Sequence, residues 1–149
     1  MNENLGHILV VDDNHQNIDI LRRRLQHTGY EVTCADGGRE AIKLLDANDF
    51  DLVILDIMMP EINGIEVLEY IRKSHSVLQL PVIMVTSVDQ EESIISSLQA
   101  GANDYLVKPL NLEIALARIN SQLSLKYLSN LKDEFLAFAS HDLKKPLML

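Results

Sequence analysis

Four short apolar runs each end on a residue that can do chemistry. Asp12 and Asp13 follow His7–Val11, Asp56 follows Leu52–Leu55, Thr86 follows Val82–Val85, and Lys108 follows Tyr105–Val107. If the runs are parallel strands, three carboxylates, a hydroxyl and an ammonium open onto one edge of a sheet. Carboxylates packed together raise one another's cost of ionisation. A hard cation removes that conflict, and Mg²⁺ needs only one or two carboxylates plus a phosphate oxygen. A carboxylate can also attack phosphorus to give an aspartyl phosphate. A phosphoryl group in transfer needs its charge neutralised by a metal and a lysine. Taken singly the residues have plainer readings. The Asp12-Asp13 doublet could start the next helix, where acids suit the N-cap and the dipole. Asp56 could be a loop acid, Thr86 a turn hydroxyl and Lys108 a surface cation. Their joint placement is what favours a site.

The elements that must position these residues alternate. Ile18, Leu21 and Leu25 recur at helical spacing from His15 to Thr28, and Gly29 follows as a stop. Glu31–Ala35 reads as a second strand, and a helix carrying Ala41, Ile42, Leu44 and Leu45 follows Gly37-Gly38. Pro60 and Gly64 frame a loop before a helix with Ile65, Leu68 and Ile71; Pro81 opens the fourth strand. A helix with Ile94, Ile95 and Leu98 ends near Gly101, and a last helix starts near Asn111. Near-continuous apolar strands separated by helices imply a five-stranded parallel sheet covered on both faces. Right-handed crossovers then give an open, doubly wound α/β fold, which binds its ligands at the C-terminal ends of the strands.

Bulk properties narrow the function. A chain of 149 residues suits one compact domain plus an appendage, and its single cysteine, Cys34, rules out a disulfide framework or a cysteine-rich metal site. Residues 1–120 hold nine Lys/Arg against 19 Asp/Glu, whereas residues 121–149 hold four against three. So acidic a surface repels phosphate backbones and argues against nucleic-acid binding. No apolar run approaches the roughly 18 residues of a membrane span, and the polar start, Met1 to Gly6, lacks the apolar core of a signal peptide. The expectation is a cytoplasmic protein without membrane insertion. Cys34 reads as an inert core thiol, and His7, His15, His27 and His75 show no metal-ligand spacing.

The sequence Val10-Val11-Asp12-Asp13, Leu55-Asp56-Ile57-Met58-Met59-Pro60, Asn63-Gly64, Val85-Thr86-Ser87 and Tyr105-Leu106-Val107-Lys108-Pro109-Leu110 resembles the response-regulator receiver family from about residue 7 to 122. The resemblance implies a flavodoxin-like sheet of order 2-1-3-4-5. It implies Asp56 as phosphoacceptor, taking a phosphoryl group from a phosphohistidine donor protein or domain. Mg²⁺ would be held by Asp13 directly, Asp12 through water, Asp56, and the main-chain carbonyl of Met58. Lys108 would pair with a phosphoryl oxygen, and its bond to Pro109 would be cis. Thr86 and Tyr105 would be the switch residues.

The chain continues past such a domain, giving expected bounds of 1–122 for the receiver and 123–149 for a helical appendage. Leu112, Leu116, Ile119, Leu123, Tyr127, Leu131, Phe135 and Phe138 recur about every 3.7 residues, with no Pro or Gly between Asn111 and Lys145. That predicts one long helix whose apolar seam needs a partner, most economically a parallel homodimer of coiled-coil type. The alternative is a helix folded back onto its own domain. Residues 132–147, with Phe135-Leu136, Ser140-His141-Asp142-Leu143 and Pro146-Leu147, resemble the phosphoacceptor segment of histidine kinases. By that resemblance His141 accepts phosphate from ATP and Asp142 polarises it. Lys145 stands where phosphatase-competent members often have Thr or Asn. No Gly-rich phosphate loop appears in the sequence, so the expectation is a fragment of a hybrid histidine kinase that cannot itself use ATP. Two alternatives are a stand-alone phosphorylated regulator and an Asp-nucleophile phosphohydrolase. The second would need an acid two residues after Asp56, where Met58 stands.

Overall fold

The computed structural model describes residues 4–87 and 89–144, with side chains described as far as His141. Five strands, β1 (His7–Val11), β2 (Glu31–Ala35), β3 (Leu52–Asp56), β4 (Val82–Thr86) and β5 (Asp104–Val107), form one parallel sheet in the order β2-β1-β3-β4-β5. Between and after them run α1 (His15–Thr28), α2 (Gly38–Ala47), α3 (Gly64–Arg72), α4 (Glu91–Gln99) and α5 (Leu112–Lys144). This is the doubly wound, flavodoxin-like architecture with a long C-terminal helix.

The period-two alternation of each strand makes two cores. Leu9, Val11, Val53 and Leu55 face α2 and α3, with Val67, Leu68 and Ile71 packed on them. Ile8, Val10, Leu52 and Ile54 face α1 and α5, meeting Ile18, Leu21, Leu25, Ala115 and Ile119. Local chemistry sets the helix ends. The Asn14 side chain accepts from the N–H groups of Gln16 and Asn17 to start α1, and Gly29, at φ 119°, ends it. Asn63 and Glu66 form a reciprocal capping box at α3.

Two helices differ from the sequence pattern. In α4, Ile95 and Leu98 are exposed and the buried residue is Ser97, whose hydroxyl donates to the Ser93 carbonyl at 2.7 Å. A small side chain that satisfies its own hydroxyl within the helix lets α4 lie close to its neighbours. In α5 the predicted seam divides. Leu112, Leu116 and Leu123 pack on the second core beside buried Ala115 and Ile119. Lys126 then reaches the opposite edge of the sheet from Asp56, meeting the Asp51 carboxylate at 3.3 Å. Past it Tyr127, Leu128, Leu131, Phe135, Leu136 and Phe138 are exposed. The helix is unbroken across residue 122; what changes beyond Lys126 is the packing. Among the described residues no helix is long and apolar enough to cross a membrane.

Candidate functional site

Strand register assembles the site. Val11 pairs with Leu55, so Asp12 stands level with Asp56 on the neighbouring strand. Asp56 pairs with Val85 and Thr86 with Val107, which places Thr86 and Lys108 one residue beyond, at the same C-terminal edge. Carboxylate oxygens of Asp12, Asp13 and Asp56 lie within 4.8 Å of one another. The Lys108 ammonium is 3.0 Å from Asp56 Oδ2 and 3.7 Å from Asp12 Oδ2. The remaining Asp56 oxygen accepts the Met58 N–H at 3.3 Å, so the backbone of Met58 lies against the carboxylate while its side chain is exposed. Asp12 Oδ1 accepts the Asn14 N–H at 2.9 Å, which fixes the loop into α1. The Lys108–Pro109 peptide bond is cis.

The electrostatics are those of an unbalanced site: three carboxylates face one ammonium. Burial of Asp56 pushes its pKa up to about 6; the hydrogen bond and charge of Lys108 pull it down, and Asp12 pushes it up further. Burial works against the Lys108 charge, but the Asp56 hydrogen bond and the fields of Asp56, Asp12 and Asp13 outweigh it and raise its pKa.

Thr86 is buried at the same edge, with its hydroxyl turned to Gln90 Oε1 at 3.1 Å. Tyr105 is half-buried against the first core, with the Arg118 guanidinium 5.4 Å from its ring centre. Arg118 also donates to the Tyr105 carbonyl and pairs with Asp104 at 3.6 Å. His141 is not brought to this cluster. It is exposed on α5, on the order of 20 Å along the helix beyond Lys126. The side chain of Asp142 and all of Lys145 lie outside the described residues.

Sequence reasoning missed Gln90, Asn17 and Arg118. Asn17 donates to Asp12 Oδ2 at 3.4 Å from one turn into α1. A polar residue just past a strand-end acid is a weak signal for such a partner; Gln90 and Arg118 had none. Gly64 was visible as part of a motif, and the structure gives its reason: a Cβ there would stand 2.2 Å from the Asp56 carbonyl oxygen and 2.8 Å from Ile57 Cα. The loop after the acidic cluster closes only because Gly64 has no side chain.

A family profile described as the response regulator receiver domain matches residues 8–120. The chain belongs to that family. The response regulator SaeR of Staphylococcus aureus (strain USA300) is 40% identical to it over 120 residues, 80% of this chain and 51% of SaeR. The chain thus spans about half the length of the curated relatives it matches. A CheY-like receiver domain protein from Methanospirillum hungatei JF-1 superposes with a TM-score of 0.79 at 32% identity, covering 85% of this chain and 99% of its own. The signal receiver domain of a signal transduction histidine kinase from Syntrophus aciditrophicus gives 0.73 at 30% identity, over 80% and 90% respectively. The receiver of this chain thus ends on a helix that runs more than twenty residues past the matched segment.

Proposed function

We propose that this receiver accepts a phosphoryl group on Asp56 from a phosphohistidine and passes the resulting charge change to its C-terminal helix. The observation that carries the reading is the buried Asp56 carboxylate beside Asp12 and Asp13, with Lys108 at 3.0 Å. In the transfer, an Asp56 oxygen forms a bond to phosphorus as the phosphorus–nitrogen bond of the donor breaks, leaving an acyl phosphate and a free histidine. Lys108 is placed to hold a phosphoryl oxygen, and the Met58 N–H orients the carboxylate. The donor set fits Mg²⁺, being all oxygen and carrying excess negative charge; Asp13, Asp12 through water, Asp56 and the Met58 carbonyl would hold the ion, which neutralises phosphoryl charge. An apolar groove of about 490 Å³ opens beside Lys108, between α1 and the β5–α5 loop. Ile20, Leu21, Pro109, Leu110 and Leu112 line it, which suits a donor helix carrying the phosphohistidine.

With acetyl phosphate and Mg²⁺ the intact mass should rise by one phosphoryl group. Asp13→Ala should lose most of that gain and weaken Mg²⁺ binding at least tenfold. An unchanged gain in Asp13→Ala would remove Asp13 from the site.

Thr86 and Tyr105 are the proposed relay. Once a phosphoryl group sits on Asp56, the Thr86 hydroxyl can exchange Gln90 for a phosphoryl oxygen, and Tyr105 can follow inward. Thr86→Val should still accept phosphate. With beryllofluoride it should show less than half the wild-type amide shift changes around Tyr105; full-sized changes would refute the relay.

For residues 123–149 the reading is the start of a histidine-kinase dimerisation helix with His141 as its phosphoacceptor, pairing as a homodimer. Its support is the segment 132–147 and the exposed apolar side chains from Tyr127 to Phe138. A stand-alone regulator fits the receiver equally well, so the kinase reading rests on the extension alone. A histidine kinase incubated with ATP and this chain should label Asp56 in either case. Only the kinase reading requires labelling of His141 when an ATP-binding domain is supplied.

A further inference from the structure

We infer that the homodimer is parallel and phase-locked: the partner helix packs on a side of α5 turned away from the receiver, so the two receivers flank the pair without touching. This rests on the parallel-dimer reading above and adds the face and the place of each receiver. At about 100° per residue, Leu112, Ala115, Leu116, Ile119 and Leu123 mark one side of α5, the side buried on the receiver core. Tyr127, Leu128, Leu131, Phe135 and Phe138 mark a second side, turned from the first by roughly 110°. The helix therefore carries two apolar faces separated by more than a quarter turn, one already buried. The side continuous with the receiver contact turns polar beyond Lys126, where it presents Asn130, Glu134 and His141.

Several features on the second face point to another copy of this chain as its occupant. Leu128, Leu131, Phe135 and Phe138 are spaced 3, 4 and 3, the repeat of a two-helix seam, although the longer pattern through Leu123 runs near 3.7. Leu123 belongs to the receiver contact, and Leu128 takes its place in the seam. The seam residues and the flanking Leu125 and Leu136 are between 41% and 68% exposed. Covering most of what the five seam side chains expose on both copies buries on the order of 1,000 Å² in total, the size at which specific association begins. Residues 1–120 carry ten more acids than bases, so receivers held apart on the outside also avoid like-charge contact. A partner on the receiver's side would collide with it, since parallel helices run side by side from Leu112 onward.

Insertion of alanines between Lys126 and Tyr127 in the full chain tests the phase. Two alanines turn the seam by about 200°, onto the receiver side; four turn it by only about 40°. By sedimentation velocity at tens of micromolar the parent chain and the four-alanine variant should be dimers. The two-alanine variant should be a monomer, or dimerise at least 100-fold more weakly, while still accepting phosphate from acetyl phosphate. The double variant Ile95→Asp, Leu98→Asp on the exposed face of α4 should dimerise like the parent, because the receivers do not meet. A dimeric two-alanine variant would overturn this inference alone, since an antiparallel pair has no such phase requirement. Loss of dimer in the α4 variant would likewise show receiver–receiver contact. A monomeric parent chain would sink the dimer reading and the inference together.

Discussion

Asp56→Asn should abolish phosphoryl gain from acetyl phosphate and at the same time stabilise the metal-free protein at neutral pH. The first effect follows from the nucleophile: an amide oxygen at position 56 is not a carboxylate and cannot form the acyl phosphate. The second follows from burial. The folded-state pKa of Asp56 is raised to about 6 from an ordinary 3.8, so the fold favours the protonated form. Stability from this group is fully present below the unfolded pKa, near 4, and is lost as pH rises through about 6. Above pH 7 the ionised carboxylate costs on the order of 2 kcal/mol after allowance for screening through the open edge of the site. Asparagine does not titrate. The stability gap between variant and wild type should therefore be small near pH 4.5 and widen in favour of the variant up to pH 7.5, by roughly 6 °C in Tm. Mg²⁺ should narrow the gap by stabilising the wild type. A gap independent of pH would show that Asp56 carries no such penalty, and a retained mass gain in the variant would displace Asp56 as phosphoacceptor.

Arg72→Ala should be among the most destabilising substitutions outside the apolar core. The Arg72 side chain lies at the end of α3 with no carboxylate partner among the described residues. Its Nε donates to the Gly101 carbonyl at 2.8 Å, and one terminal nitrogen donates to the carbonyls of His75, Ser76 and Leu80 at 3.2, 3.1 and 2.8 Å. The other donates to Asn103 Oδ1 at 2.9 Å. That same Asn103 oxygen accepts the Val82 N–H at the start of β4. One guanidinium thus ties the loop before β4 to the loop before β5, and its burial lowers its pKa to about 10. Hydrogen bonds from a charged group are worth about 1.5–3 kcal/mol each, and they do not add fully because the freed carbonyls regain water. An overall loss of about 3 kcal/mol, near 10 °C in Tm, is expected. Arg72→Lys should recover less than half of it, since an ammonium cannot span the fork. A loss under about 1 kcal/mol in urea unfolding would show that the loops hold without this hub.

Legibility in the sequence differed between elements for physical reasons. The five strands were readable because β1, β3 and β4 are covered on both faces, so they are apolar throughout and end abruptly on polar residues. The candidate site was readable for the same reason: in a parallel sheet every strand's last residue reaches one edge, so Asp12, Asp56, Thr86 and Lys108 had to be neighbours if the strands were parallel. Spacing alone cannot tell which side of a helix is buried when apolar residues lie on more than one side. In α4, Ile94, Ile95 and Leu98 marked the helix, but close packing went to small Ser97, which needs no partner beyond Ser93. In α5 one long apolar repeat concealed two faces, because Leu123 can serve either pattern and only contact with the receiver core assigns it. Side chains whose partners lie far along the chain left no local trace: Lys126 on Asp51, Arg72 on Asn103, Arg118 on the Tyr105 carbonyl. The sequence by itself determined the order of the elements and the identity of the groups at the sheet edge, because those follow from short-range periodicity. Tertiary structure alone decided which helix faces are free and which polar groups are held, because both depend on packing between residues distant in the chain.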